Sequence, residues 1–111
     1  MAIELTRPPT EYVSRFSDTL GTALKDLRGA ALAAGPLDAT TSELIVISHF
    51  AMSGFEDSFM IHSRRLLGNN TPIAALRHAV VLPLGATAGG YQIARALEWI
   101  DQLEAEFEAR V

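Results

Sequence analysis

The chain has 111 residues and a net charge of −4, which argues against duplex nucleic acid and anionic membranes as partners, because both are bound by clustered basic side chains. Hydrophobic residues make up 49% of the chain, a surplus that predicts a subunit interface or a ligand cavity. The chain contains no cysteine, which excludes disulfides, thiolate metal sites and thiol peroxidase chemistry. No segment reads as a targeting or membrane signal, so a soluble, cytoplasmic protein is expected.

Glycine and proline residues divide the chain into predicted helices, which makes the fold class all-α. The first helix is predicted from Glu11 to about Leu32, where apolar residues recur at spacings of three and four. Asp38 or Thr40 is expected to cap a second helix that carries residues 42–52. A strand over residues 44–47 is the alternative, since β-branched side chains occur there, but the apolar run continues to helical length and favours a helix.

Three further helices are predicted in the second half of the chain. The third runs from about Phe55 to Leu67 and ends at the cluster Gly68-Asn69-Asn70, whose residues tolerate a left-handed conformation. The fourth covers Ile73 to about Thr87 with a bend at Pro83. The last helix is predicted from Tyr91 to Arg110.

His62 has the neighbours best suited to acid–base chemistry. The third helix places four side chains on one stripe, at spacings of three, four and three: Phe55, Ser58, His62 and Arg65. Because Ser58 lies one turn before His62, its hydroxyl can hydrogen-bond the imidazole. Glu43 opens the preceding apolar helix, from which its carboxylate can approach the stripe and form a general acid–base pair with His62. The alternative is structural: a surface imidazole facing solvent, and a carboxylate placed favourably in a first helical turn.

The other titratable residues give weaker signals. His49, on an apolar helix, is interpreted as a core or interface residue, and His78 as a surface group beside Arg77. No metal site is predicted, because no His-x₃-His or Glu-x-x-His pair occurs among the possible ligands Glu43, Glu56, Asp57 and His62.

Three segments in this order carry a resemblance to a known family: residues 37–45, residues 54–64 with His62, and Gly68-Asn69-Asn70. Together they resemble the carboxymuconolactone decarboxylase family and its alkylhydroperoxidase AhpD-like relatives, from about Asp38 into the last helix. The resemblance implies one domain over residues 1–111, an AhpD-like bundle of about five to six helices. It also implies assembly into trimers or hexamers, which would account for the apolar surplus.

The AhpD-like branch carries a Cys-x-x-Cys pair on the helix of its histidine, with an upstream glutamate in a proton relay. Glu43 and His62 match the glutamate and the histidine, whereas Phe55 and Ser58 stand at the two cysteine positions. Neither side chain can cycle through a sulfenic acid. The chain is therefore not expected to act as a thiol peroxidase.

The decarboxylase branch is free of thiols at this motif. Its acidic run before the histidine resembles residues 54–58, and its Asn-Asn pair resembles Asn69-Asn70. That branch releases CO₂ from a lactone acid, and protonation of the resulting dienolate needs a general acid and no cofactor. This chain departs from the branch at Ala94-Arg95, where the decarboxylases carry Asn-His, which leaves the substrate open.

Two hypotheses follow from these observations. The first is a cofactor-free acid–base enzyme of decarboxylase or isomerase type, acting on a small carboxylated lactone or related oxygenated acid, in which Glu43 and His62 transfer protons and Ser58 orients His62. Arg64 or Arg65 would pair with a substrate carboxylate, and the candidate substrate-binding residues are Arg64, Arg65, Phe55 and Glu56. The alternative is a non-catalytic AhpD-like scaffold that binds a small molecule or a partner after losing the redox cysteines.

Overall fold

The described part of the chain is all-helical. A computed structural model describes residues 7–109, which form α1 (Pro9–Phe16), α2 (Asp18–Ala33), α3 (Ala39–Ser53), α4 (Glu56–Gly68), α5 (Ile73–Val81) and α6 (Gly90–Glu108). The all-α prediction is confirmed for these residues, and residues 44–47 lie inside α3. Arg110, the predicted end of the last helix, lies outside the described residues. None of the helices within residues 7–109 is long and apolar enough to cross a membrane.

The chain divides into two compact units between Ala39 and Thr40. In the first unit, the single long helix predicted from Glu11 to Leu32 is wrong, because the chain breaks at Ser17. Ser17 has extended backbone angles, φ −157° and ψ 119°, and its hydroxyl accepts a hydrogen bond from the Leu20 amide at 3.1 Å. Serine in this position caps the new helix, so α2 starts immediately after it.

The helices α1 and α2 lie against each other at Gly21. Gly21 is buried, and a Cβ atom added there would lie 2.3 Å from Oγ and 2.7 Å from Cα of Ser14. The absence of a side chain therefore allows this approach of the two helices. Several large apolar side chains of the same unit remain exposed, namely Phe16, Leu20, Leu27 and Leu32.

The second unit contains the hydrophobic core. The buried residues of its main cluster come from all four helices, and α6 contributes four of them: Ile47, Ala51, Phe59, Leu66, Leu76, Val80, Ala96, Trp99, Ile100 and Leu103. The rings of Phe59 and Trp99 pack with centroids 5.2 Å apart and planes tilted by 50°. Full burial of a large apolar side chain stabilises the folded state by about 1.5–3 kcal/mol, so this cluster dominates the stability of the unit.

Two turns define how α4 and α5 end. After α4, Asn70 adopts a left-handed conformation with φ 68°, and the Thr71 amide donates to the Leu66 carbonyl at 3.0 Å. This end agrees with the predicted Gly68-Asn69-Asn70 stop. The predicted helix through Pro83 is wrong, since α5 ends at Val81. Proline cannot continue the helical hydrogen bonding and disfavours a helical residue before it.

Ion pairs join α6 to its two neighbours in the second unit. Arg77 on α5 donates to Asp101 at 3.0 Å and to Glu104 at 2.9 Å. Arg64 on α4 makes a two-pronged contact with Glu106, at 2.9 and 3.2 Å. The hydrogen bond from Arg77 lowers the pKa of Glu104 below its ordinary value. The same contacts, to Glu104 first and then Asp101, raise the pKa of Arg77.

Candidate functional site

The helices α3 and α4 bring Glu43 and His62 into contact. Glu43 lies near the start of α3, His62 lies in the middle of α4, and Nδ1 of His62 donates a hydrogen bond to Oε1 of Glu43. The two side chains are only partly accessible, 13% for Glu43 and 21% for His62. A carboxylate on Nδ1 fixes the orientation and tautomer of the ring, so Nε2 is left to exchange a proton with a ligand.

Aromatic rings border this pair on one side. The ring centroid of Phe50 lies 5.0 Å from that of His62, and the centroid of Phe55 lies 6.4 Å from that of Phe50. Phe55 is 58% exposed, so it offers an apolar surface to solvent next to the Phe50 ring. The imidazole therefore combines a charged neighbour on Nδ1 with an apolar neighbour on its face.

The other predicted site residues are distributed unevenly around the pair. Arg65 approaches it, with Nη1 3.5 Å from Oε1 of Glu43. Ser58 lies one turn before His62 on α4, but no hydrogen bond joins them among the described residues, and Glu43 holds the imidazole instead. Arg64 points to α6, where it pairs with Glu106.

Glu56 opens α4 and is exposed. It lies in the first turn of that helix beside Asp57, a position in which carboxylates interact favourably with the helix dipole. No hydrogen bond places Glu56 at His62 within the described part of the chain. The structure thus brings Glu43, His62 and Arg65 together and leaves Glu56 outside that contact.

Arg95 of α6 lies at the turn between α3 and α4. Its Nη2 donates to the Ala51 carbonyl at 3.1 Å, and its guanidinium carbon lies 5.6 Å from the ring centroid of Tyr91 and 5.1 Å from that of Trp99. Gly54 ends α3 in a left-handed conformation with φ 75°, and an added Cβ atom would lie 3.1 Å from Nη2 of Arg95. Arg95 is not among the predicted site residues, although its spacing of four from both Tyr91 and Trp99 places the three side chains on one helix face.

A separate apolar groove lies between α3 and α5. Its volume is about 320 Å³, and the residues that line it are Thr41, Leu44, Ile45, Ser48, His49, Ala75, His78, Ala79 and Leu82. Nδ1 of His49 bonds the Ile45 carbonyl at 2.9 Å. Glu43 and His62 are not among the lining residues, so the groove and the acid–base pair are separate sites.

The described residues contain no group of three or more histidine, aspartate or glutamate side chains placed to hold a metal ion. The comparisons with known proteins return no match: no family model, curated protein or solved structure is significantly similar to this chain. The resemblance to the carboxymuconolactone decarboxylase family therefore stays a prediction.

Proposed function

We propose that this protein is a cofactor-free general acid–base enzyme of decarboxylase or isomerase type. Its substrate is a small carboxylated lactone or a related oxygenated acid. The observation that supports the proposal is the hydrogen bond from His62 to Glu43 in a partly enclosed position beside Phe50. The family resemblance adds the substrate class, because residues 54–58 and Asn69-Asn70 resemble the decarboxylase branch.

Each member of the pair has a defined role in this mechanism. His62 exchanges the proton through Nε2, which bonds no described residue, while Nδ1 stays on Glu43. Glu43 stabilises the imidazolium form by its negative charge and keeps the ring in one orientation. Arg65, 3.5 Å from the same carboxylate oxygen, adds a positive charge at the edge of the site.

Decarboxylation proceeds in two balanced steps. The bond between the substrate carbon and its carboxylate breaks, CO₂ leaves, and the electron pair is delocalised into the conjugated carbonyl as a dienolate. The imidazolium of His62 then protonates a carbon of the dienolate, and solvent returns a proton to the imidazole. Because the substrate's own carbonyl accepts the electrons, this chemistry requires no cofactor. An isomerase would use the same pair to remove a proton and return it to another carbon.

We further propose that the enzyme is a cytoplasmic homo-oligomer, a trimer or a hexamer. The support is the exposure of large apolar side chains in the first unit, of which Phe16 is 85% and Leu27 is 65% accessible. Exposed apolar surface is a common mark of a protein–protein interface. The family resemblance implies the same assembly.

The proposal is tested by turnover of a panel of unsaturated lactone acids in D₂O. A decarboxylase releases CO₂ and yields a product with one deuterium on a carbon of the former dienolate, either the carbon that lost the carboxylate or the carbon next to the carbonyl. An isomerase yields deuterium without CO₂. If neither label nor CO₂ exceeds the buffer blank across the panel, the protein is not an acid–base enzyme for this substrate class.

A binding scaffold without catalysis is the second candidate, and the groove between α3 and α5 favours it. Its volume of about 320 Å³ falls in the range of small-molecule sites. Its lining contains neither Glu43 nor His62, so ligand binding there would not depend on the acid–base pair. Unchanged ligand binding in Glu43→Gln and His62→Gln variants, together with no turnover, would support the scaffold over the enzyme.

A further inference from the structure

The arginines of the second unit differ in how their charges are balanced. Arg64 and Arg77 form ion pairs with carboxylates of α6, and Arg65 pairs with Glu43. Arg95 has no acidic partner among the described residues, and its polar contact there is the Ala51 carbonyl. Within residues 40–109, Arg95 is therefore the arginine without a carboxylate partner.

The burial of Arg95 makes its unpaired donor unfavourable. Its Nε atom is sealed from solvent and has no hydrogen-bond partner. A buried donor without an acceptor costs about 1–3 kcal/mol, and more when the group is charged. The rings of Tyr91 and Trp99 offset part of this cost through cation–π contacts. They leave the buried Nε of Arg95 without an acceptor.

The turn at Gly54 leaves room for the guanidinium of Arg95. Gly54 has φ 75° and no side chain, and any Cβ atom there would lie 3.1–3.3 Å from the guanidinium of Arg95. The left-handed turn at Gly54 also directs the chain into Phe55 and α4. The same residue thus ends α3 and leaves room for the cation beside the turn.

Arg95 is connected to the acid–base pair through consecutive residues of α3. Its Nη2 bonds the carbonyl of Ala51, and the preceding residue, Phe50, packs its ring on that of His62. The guanidinium and the imidazole therefore contact neighbouring residues at the end of α3. Arg64 and Arg65, the candidates suggested by the sequence, have their charges taken up by Glu106 and Glu43.

We propose that Arg95 is the substrate-binding residue that holds a carboxylate of the ligand. The inference rests on the acid–base function proposed above and assigns the anion contact of that site. A guanidinium presents its donors in a planar fork that matches a carboxylate. Nη1 of Arg95 donates to no described residue, so it supplies the free donor, and the exposed ring of Tyr91 borders the same position.

Trp99 provides a direct assay for this contact. It is the single tryptophan of the chain, and its ring lies 5.1 Å from the guanidinium carbon of Arg95. The probe is paraconate, a γ-lactone with one carboxylate, and its methyl ester is the uncharged control. Paraconate should change the Trp99 fluorescence in a saturable way, and the ester should not. Inorganic phosphate should compete with paraconate, since the planar fork of a guanidinium binds phosphate as well as carboxylate.

Two variants and one control separate binding from folding. Arg95→Gln should bind paraconate about 10- to 100-fold more weakly, the value of a charge-assisted hydrogen-bonded contact. Arg95→Lys keeps the charge and a donor for Ala51, so it should fold and bind with an intermediate loss. Lys25→Gln removes the same charge from the exposed surface of α2 and should bind like the wild type. Circular dichroism confirms that each variant is helical.

The outcomes of the experiment test the Arg95 assignment and the enzyme proposal separately. Equal binding of paraconate by wild type, Arg95→Gln and Arg95→Lys overturns the Arg95 assignment, as does equal binding of acid and ester. Arg95-dependent binding that is unaffected by His62→Gln, with no turnover of any lactone acid, supports the anion contact and contradicts the enzyme. Turnover with an unchanged KM in Arg95→Lys supports the enzyme and contradicts the assignment.

Discussion

At the scale of single residues, the contact between Glu43 and His62 concentrates the proposed chemistry in two side chains. His62→Gln keeps a polar group of similar shape but removes the group that titrates. We expect the turnover rate to fall by about 10²–10⁴-fold, the usual contribution of a positioned general acid or base. Steady-state kinetics on the best substrate of the lactone acid panel measures the loss.

Glu43→Gln is expected to reduce turnover as well, because a neutral amide can contact Nδ1 but cannot balance the charge of the imidazolium. The matched control is Glu98→Gln on α6, an exposed glutamate that should retain wild-type turnover. Wild-type rates in both the His62 and Glu43 variants would contradict the assigned roles.

Gly54 gives a prediction about stability. Gly54→Ala forces a side chain into a left-handed conformation and places its Cβ atom 3.1 Å from Arg95. We expect a loss of about 1–3 kcal/mol in the free energy of unfolding, measured by chemical denaturation. Gly29→Ala is the control, because Gly29 lies within α2 with no atom close to the added Cβ and should be slightly stabilised. Equal effects of the two substitutions would show that Gly54 is under no constraint.

The candidate site could be predicted from the sequence only in part. The stripe on α4 and the family resemblance pointed to His62 and Glu43, because helical spacing and motif order are visible in one chain. The partners of Arg64 and Arg95 were not visible, since they depend on how α6 packs against α4 and α3. Long-range contacts of this kind leave no periodic signal.

At the scale of helices, the approach of α1 to α2 depends on Gly21. Gly21→Ala would place a methyl group 2.3–2.8 Å from atoms of Ser14, including a backbone atom that cannot rotate away. We expect the two helices to separate, with faster hydrogen exchange of the amides in residues 9–33. The amides of α3 to α6 serve as the internal control. Unchanged protection of α1 and α2 would show that they do not pack closely at this residue.

The ion pairs between α5 and α6 predict a dependence on pH. Because the hydrogen bond from Arg77 holds the pKa of Glu104 below its ordinary 4.5, its contribution to stability is fully present above pH 4.5. That contribution is lost as the pH falls through the lowered pKa. Wild type should therefore be more stable than Glu104→Gln at neutral pH, and the difference should close in acid and shrink in high salt. Urea denaturation of both proteins from neutral pH down through the lowered pKa measures the difference in stability. A difference that stays constant with pH would contradict the prediction.

Helix boundaries show where the sequence was informative. The start of α3 and the end of α4 carry strong local signals. Asp38 lies just before α3, and Gly68-Asn69-Asn70 lies at the end of α4. The sequence does not predict the break at Ser17, because the apolar spacing continues across it and a single serine also occurs inside helices. The sequence predicts a bend at Pro83, whereas α5 ends before it. A proline alone does not distinguish a kink from a stop.

At the scale of the whole molecule, the exposed apolar side chains predict assembly. Light scattering at micromolar concentration should return a mass three or six times the 12.0 kDa of one chain. Phe16→Ser should lower that mass if α1 takes part in the interface, since Phe16 is 85% accessible in the single chain. Ser53→Ala, an exposed change on another helix, is the control. A wild-type mass of 12.0 kDa would contradict the prediction.

The division into two units also sets an order of folding. Contacts between α1 and α2 are local in the sequence, and a helical pair of this kind closes rapidly. The core of the second unit instead needs Trp99, Ile100 and Leu103 of α6, which are synthesised after α3, α4 and α5. During synthesis, α3, α4 and α5 would therefore leave the ribosome before the helix against which their apolar faces pack. A ribosome stalled before α6 would hold a chain with exposed apolar faces, of the kind that chaperones recognise.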